Sequence, residues 1–118
     1  MGLFNFFKKD TSKLDFSKID SNEKAQELYE KKILAPLYLM PLRFNGQPVL
    51  QNTLYVPPVV VTLKDRYDDM VENLLEQEKV NGYECKPEYR DNSFIPCSLT
   101  IIAKKDGEEI FTETIKIW

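Results

Sequence analysis

The chain has 118 residues, with 16 basic and 19 acidic side chains, two Cys and no His. That length suits one domain with one core, without metal or disulfide staples. The lack of His excludes His triads, His bases and His metal ligands, two Cys are too few for a disulfide framework, and a net charge of −3 argues against broad nucleic-acid affinity.

The N-terminus carries Leu3, Phe4, Phe6 and Phe7 ahead of Lys8 and Lys9. A secretory signal has the reverse order and a longer apolar run. Gly2 raises myristoylation, but Phe6 stands where that motif takes Ser or Thr. The four apolar residues are expected to dock on the chain's own core or to fray. No apolar run approaches the roughly 18 residues of a membrane span. The chain is therefore read as cytoplasmic and bacterial in type, with Cys85 and Cys97 as reduced thiols. Residues 1–20 are expected to form a terminal segment and linker, and residues 21–118 a single α+β domain.

Asp20 and Glu23 form a capping-box-like pair ahead of Ala25, Leu28, Tyr29 and Ile33, which recur at helical spacing. Pro36 is expected to stop this first helix near Leu34. Leu37–Pro41 and Leu54–Pro58 then resemble each other around Asn45-Gly46-Gln47-Pro48. A four-residue turn there predicts a hairpin with Tyr38 directly opposite Tyr55. Met40, Leu42, Phe44 and Val49 would share their face, and Leu37, Leu39, Leu50, Leu54 and Val56 the other. Pro41 implies an edge or a bulge. Both faces being apolar, the hairpin is either covered on both sides or forms an interface.

Val59-Val60-Val61 reads as a short strand. A second helix follows, with Tyr67, Met70, Val71, Leu74 and Leu75 as its apolar stripe and Asn81-Gly82 as its stop. Three strands complete the chain: Gly82 to Tyr89, Ser98 to Lys104 and Glu109 to Trp118. A three-residue loop, Lys105-Asp106-Gly107, puts Leu99, Ile101, Ala103, Phe111, Ile115 and Ile117 on one face, with Glu113 as the exception. Gly107 takes the left-handed conformation in that loop, and Trp118 folds back on the domain. The expected architecture is α+β: a mostly antiparallel five- to six-stranded sheet with both helices on one face.

Asp65, Asp69, Glu72 and Glu76 follow i, i+4, i+7, i+11, opposite the apolar stripe of the second helix. Such a strip is either solvated surface or a docking strip for a cationic partner. Calcium or magnesium would accept these oxygens, but no loop has EF-hand spacing. No Gly-rich phosphate loop exists, no cofactor is implied, and neither Cys has an obvious activating base. Residues 1–59 carry 8 basic and 6 acidic groups, whereas residues 60–118 carry 8 and 13.

This asymmetry favours a non-enzymatic protein-interaction domain. Its most concrete form is an immunity-type or antitoxin-like inhibitor of a basic partner, with Asp65, Asp69, Glu72, Glu76, Tyr38 and Tyr55 as partner-binding residues. One alternative is a small-ligand-binding domain or small dimeric enzyme with a pocket near Tyr38 and Tyr55. The other is a structural homo-oligomer built on the hairpin.

Overall fold

The computed structural model describes residues 14–118. The expectations for Gly2 and for Leu3, Phe4, Phe6 and Phe7 lie outside the described residues. Among the described residues two helices and five strands are present: α1 (Asn22–Glu30), β1 (Ala35–Tyr38), β2 (Thr53–Val56), α2 (Pro58–Glu76), β3 (Gly82–Glu88), β4 (Ser98–Lys105) and β5 (Glu108–Lys116). The strands form two antiparallel sheets, a β1–β2 ribbon and a β3–β4–β5 sheet. This corrects the expected single sheet of five or six strands. The helices do not share one sheet face either: α1 packs on β2, while α2 contacts both β1 and β5.

Helix α1 is capped by Ser21, whose Oγ accepts from Lys24 N at 3.2 Å, rather than by Asp20, whose carboxylate pairs with the Lys24 ammonium at 2.7 Å. It ends before Leu34 because Lys32 turns left-handed, and the Ile33 and Leu34 N–H groups both return to the Leu28 carbonyl. Pro36 then holds the chain extended in β1.

The ribbon is shorter than expected and its register differs by two residues. Tyr38 faces Thr53 and Tyr55 faces Pro36. A two-residue shift keeps both tyrosines on one face but makes them diagonal neighbours. The cause lies in the connection. Pro41 ends the pairing and opens a 3₁₀ turn at Leu42–Phe44; a second 3₁₀ turn at Leu50–Asn52 leads into β2. Asn45-Gly46-Gln47-Pro48 lies within this long loop and is not the hairpin turn. The Asn52 side chain ties the loop together, accepting from Met40 N at 2.8 Å and donating to the Met40 and Gln47 carbonyls at 2.9 Å each.

Val59-Val60-Val61 is the first turn of α2, not a strand. Pro58 stands at a first-turn position, where its missing N–H costs nothing and its fixed φ suits a helix. β-Branched residues lose only a few tenths of a kcal/mol each in a helix, and burial of Val60 outweighs that. The helix stops at Glu76, with Glu78 left-handed beyond it, so Gly82 opens β3 instead of ending α2.

The main core gathers Leu37 and Val56 from the ribbon, Val60 and Val71 from α2, and Leu99, Ile101, Ala103 and Ile115 from the sheet. Tyr67, Leu74 and Leu75 pack against it, but Met70 is 50% exposed. A smaller core joins Ile19, Ala25, Leu34 and Ile95. Trp118 folds back beside it: its indole N–H donates to the Ile95 carbonyl at 3.1 Å, its ring stacks on Phe16, and the Arg90 guanidinium lies over that ring.

The β4–β5 connection is a two-residue Asp106-Gly107 turn with both φ values positive, not a three-residue loop. A bulge follows, between the Ala103 and Lys104 pairings. The bulge adds the residue that the shorter turn omits, so odd still pairs with odd beyond it: Leu99 with Ile115, Ile101 with Glu113, Ala103 with Phe111. No helix among the described residues is long and apolar enough to cross a membrane.

Candidate functional site

The acidic strip is held by a cation from the same chain. The Leu42–Phe44 turn carries Arg43 onto α2, where Nη2 donates to Asp65 Oδ1 at 3.1 Å and Nη1 to Asp69 Oδ1 at 2.5 Å. Nη2 also donates to the Asp65 carbonyl at 3.0 Å, and Glu72 Oε1 lies 3.7 Å from Nη1. Partial burial opposes the Arg43 charge, but the Asp69 hydrogen bond and neighbouring carboxylates outweigh it and raise its pKa. One guanidinium thus serves three carboxylates, and Glu76 has no ion pair among the described residues.

Beneath this strip lies a polar cluster that sequence reading missed. Lys64 and Asp68 project from α2 into the protein, with side chains 4% and 5% exposed. Lys64 Nζ donates to Asp68 Oδ2 at 2.8 Å and to Tyr83 Oη at 2.9 Å, while Tyr83 Oη donates to Asp68 Oδ1 at 2.6 Å. The three groups close a ring in which each charge and the hydroxyl has a partner. Burial, reinforced by the Asp68 carboxylate, raises the Tyr83 pKa and keeps the phenol protonated. Burial also pushes the nearby Cys85 thiol up to about 11, which makes it a poor nucleophile at neutral pH. One signal was available: at 100° per residue, Lys64 and Asp68 fall beside Val71 and Leu75, inside the buried arc.

Three depressions run across the outer side of the ribbon. The first, about 400 Å³, lies between β1 and α2 and is bordered by Pro36, Tyr38, Arg43, Lys64 and Asp65. The second, about 290 Å³, shares Pro36 and Tyr38 with it and continues to Leu50, Thr53 and Tyr55. The third, about 400 Å³, shares those last three residues and reaches Ala25, Tyr89 and Phe94. The band therefore begins at the acidic strip and ends among exposed apolar side chains. Leu50 is 67% exposed, and Tyr29, Val49, Tyr89 and Phe94 are each exposed to a little under half. Tyr29 stacks on Tyr55 at 5.3 Å between ring centroids.

The structure thus brings Asp65, Asp69 and Glu72 together around Arg43, and places Tyr38 and Tyr55 along one connected band. Glu76 lies at the far end of α2. Leu50 was placed on an apolar face of the hairpin without being singled out, and Phe94 was missed, because their exposure depends on a long loop and an irregular segment. No cluster of potential metal ligands occurs among the described residues. No family model, curated protein or solved structure matches the chain.

Proposed function

We propose that this chain is a protein-binding domain whose partner offers apolar side chains to the Leu50–Tyr55–Phe94 end of the band and a cationic group to the Asp65–Asp69–Glu72 end. The observation that carries the reading is the continuity of the band. Aromatic and aliphatic side chains stand exposed at one end, and a carboxylate excess stands at the other. Exposed tyrosine and phenylalanine around concave surface are enriched at interface cores, with charge at the rim. Rim charge sets partner choice and association rate more than affinity. Inhibition of a basic partner, in the manner of an immunity protein or antitoxin, is the most specific form of this proposal and rests on that charge excess.

The test is retention of proteins from lysate of the chain's own source. Three baits are compared: the wild type, Leu50→Asp with Phe94→Asp, and Asp69→Lys with Glu72→Lys. A partner held by the wild type should be lost from the first variant and leave the second at lower salt, because surface charge is screened. Identical retention by all three baits would refute the proposal.

A second reading has one observation in its favour. The depression between β1 and α2 is bordered by Arg43, Lys64 and Asp68 and has the volume of a small-ligand site. It ranks second because Lys64, Asp68 and Tyr83 already bond one another. Isothermal titration with small amines and carboxylates tests it, and saturable heats abolished by Arg43→Gln would place it first.

A further inference from the structure

We infer that the partner is engaged as an extended peptide segment that adds to the open edge of β2 as a third strand of the ribbon. This rests on the protein-binding reading and specifies how its apolar end works.

The hydrogen-bond phase of the ribbon fixes which backbone groups face outward. Leu39 N donates to the Asn52 carbonyl at 3.0 Å, just beyond the ribbon and in register with it. In an antiparallel pair, bonded and non-bonded positions alternate. Leu37–Leu54 and Ala35–Val56 are therefore the bonded pairs. Pro36–Tyr55 and Tyr38–Thr53 are non-bonded, with their N–H and C=O groups directed away from each other. On β2 this sends the backbone groups of Thr53 and Tyr55 to the outer edge. Thr53 N–H is already used, donating to the Leu50 carbonyl. The Thr53 C=O and both backbone groups of Tyr55 have no partner among the described residues.

That edge opens into a built groove. Thr53, Leu54 and Tyr55 all line the third depression. Side chains alternate along a strand, so three consecutive residues lining one depression place the strand's edge in it. Ala25 from α1, Tyr89, Phe94 and Leu50 line the same depression. Unpaired backbone groups on a strand edge form a template that another extended chain can pair with. An extended peptide supplies what they lack: the Thr53 and Tyr55 carbonyls accept from its N–H groups and the Tyr55 N–H donates to one of its carbonyls, three hydrogen bonds with a strand running in either direction. Alternate peptide side chains then meet the apolar wall. The β1 edge is the poorer template, because Pro36 offers no N–H.

The experiment selects random linear displayed peptides against the wild-type protein and counter-selects against the Leu50→Asp/Phe94→Asp variant, whose fold is checked by circular dichroism. Both residues are exposed, so the variant should stay folded. The best selected peptide is resynthesised with single N-methyl groups at successive positions. Strand addition requires losses of about tenfold or more at every second position and little effect between, because only alternate amides face β2. It also requires slower hydrogen exchange at the Tyr55 amide on binding. Peptides that depend on Leu50 and Phe94 but show no alternation and no Tyr55 protection would overturn strand addition and leave the protein-binding reading standing. Failure to select any peptide that depends on the groove would overturn the inference as well, while the lysate comparison would still judge the broader reading on its own.

Discussion

Lys64 and Asp68 stand one helical turn apart on α2 and meet inside the protein, 2.8 Å from ammonium to carboxylate. An i, i+4 pair on a helix surface contributes a few tenths of a kcal/mol. A buried pair behaves differently, since each charge has lost its water and depends on the other. Tyr83 completes the arrangement by donating to Asp68 and accepting from Lys64. The ring joins α2 to β3 through polar contacts of fixed geometry.

Removing one member should therefore cost far more than removing all. Lys64→Met leaves the Asp68 carboxylate buried and partly unpaired, a loss of about 3–5 kcal/mol. The triple variant Lys64→Met, Asp68→Leu, Tyr83→Phe leaves no buried charge and should be more stable than Lys64→Met alone. Urea unfolding of wild type and both variants checks the order. A triple variant less stable than the single would mean that the cluster contributes packing rather than charge satisfaction.

Stability should fall with alkaline pH for a specific reason. The Cys85 thiol is pushed up from 9.0 to about 11, chiefly by burial. Between those values the unfolded chain releases a proton that the folded chain keeps. Unfolding is then favoured as pH rises, by at most about 1.4 kcal/mol per pH unit for one group. Tyr83 acts in the same direction at higher pH, its phenol being raised by burial. Urea midpoints measured across this window should decline in the wild type. The decline should be shallower in Cys85→Ala, and equal slopes in the two proteins would remove Cys85 from the account.

How much of this was legible in the sequence depends on the range of the interaction. The β4–β5 alternation was legible because side-chain period is local, and the bulge restored the parity that the shorter turn would have broken. The apolar stripe and the acidic strip of α2 were legible for the same reason. The Val59–Val61 run misled because β-branching was weighed above Pro58, whose fixed φ begins a helix. The split into two sheets was not legible, since a strand pattern does not say which strand it pairs with. Nor was Arg43 on the acidic strip, which reaches Asp65 and Asp69 from 22 and 26 residues away. The ring of Lys64, Asp68 and Tyr83 fell between these cases: the azimuth of Lys64 and Asp68 was readable, but their meeting with Tyr83 on β3 depends on the fold.

Arg43 pins the long loop between β1 and β2 to α2, so its loss should loosen the loop and leave the strip self-repelling. Arg43→Gln should cost about 1 kcal/mol, the upper range for an exposed ion-pair network. The deficit should shrink at high salt, where carboxylate repulsion is screened. Adding Asp69→Asn should recover part of it at low salt. Calorimetry at two ionic strengths reads both effects, and a salt-independent deficit would point instead to lost packing of the aliphatic stem.

Gly46 and Gly107 are required for different reasons, and substitution should separate them. Gly107 has φ +87° in the Asp106-Gly107 turn, and a Cβ there meets nothing within 4 Å. Its alanine variant should lose about 1–2 kcal/mol, the cost of a left-handed residue. Asn tolerates that conformation, so Gly107→Asn should lose less. Gly46 is constrained by space: a Cβ would lie 1.9 Å from the Met40 carbonyl oxygen and 2.9 Å from that of Pro41. Its own N–H donates to the same Pro41 oxygen at 2.9 Å, which holds the backbone close. Gly46→Ala must displace backbone rather than a side-chain tip, and should cost more than Gly107→Ala. Gly46→Asn should bring no relief, because its Cβ makes the same clash. Thermal unfolding of the four variants tests this ordering, and rescue by Asn at both positions would show that conformation, not space, sets the requirement at Gly46.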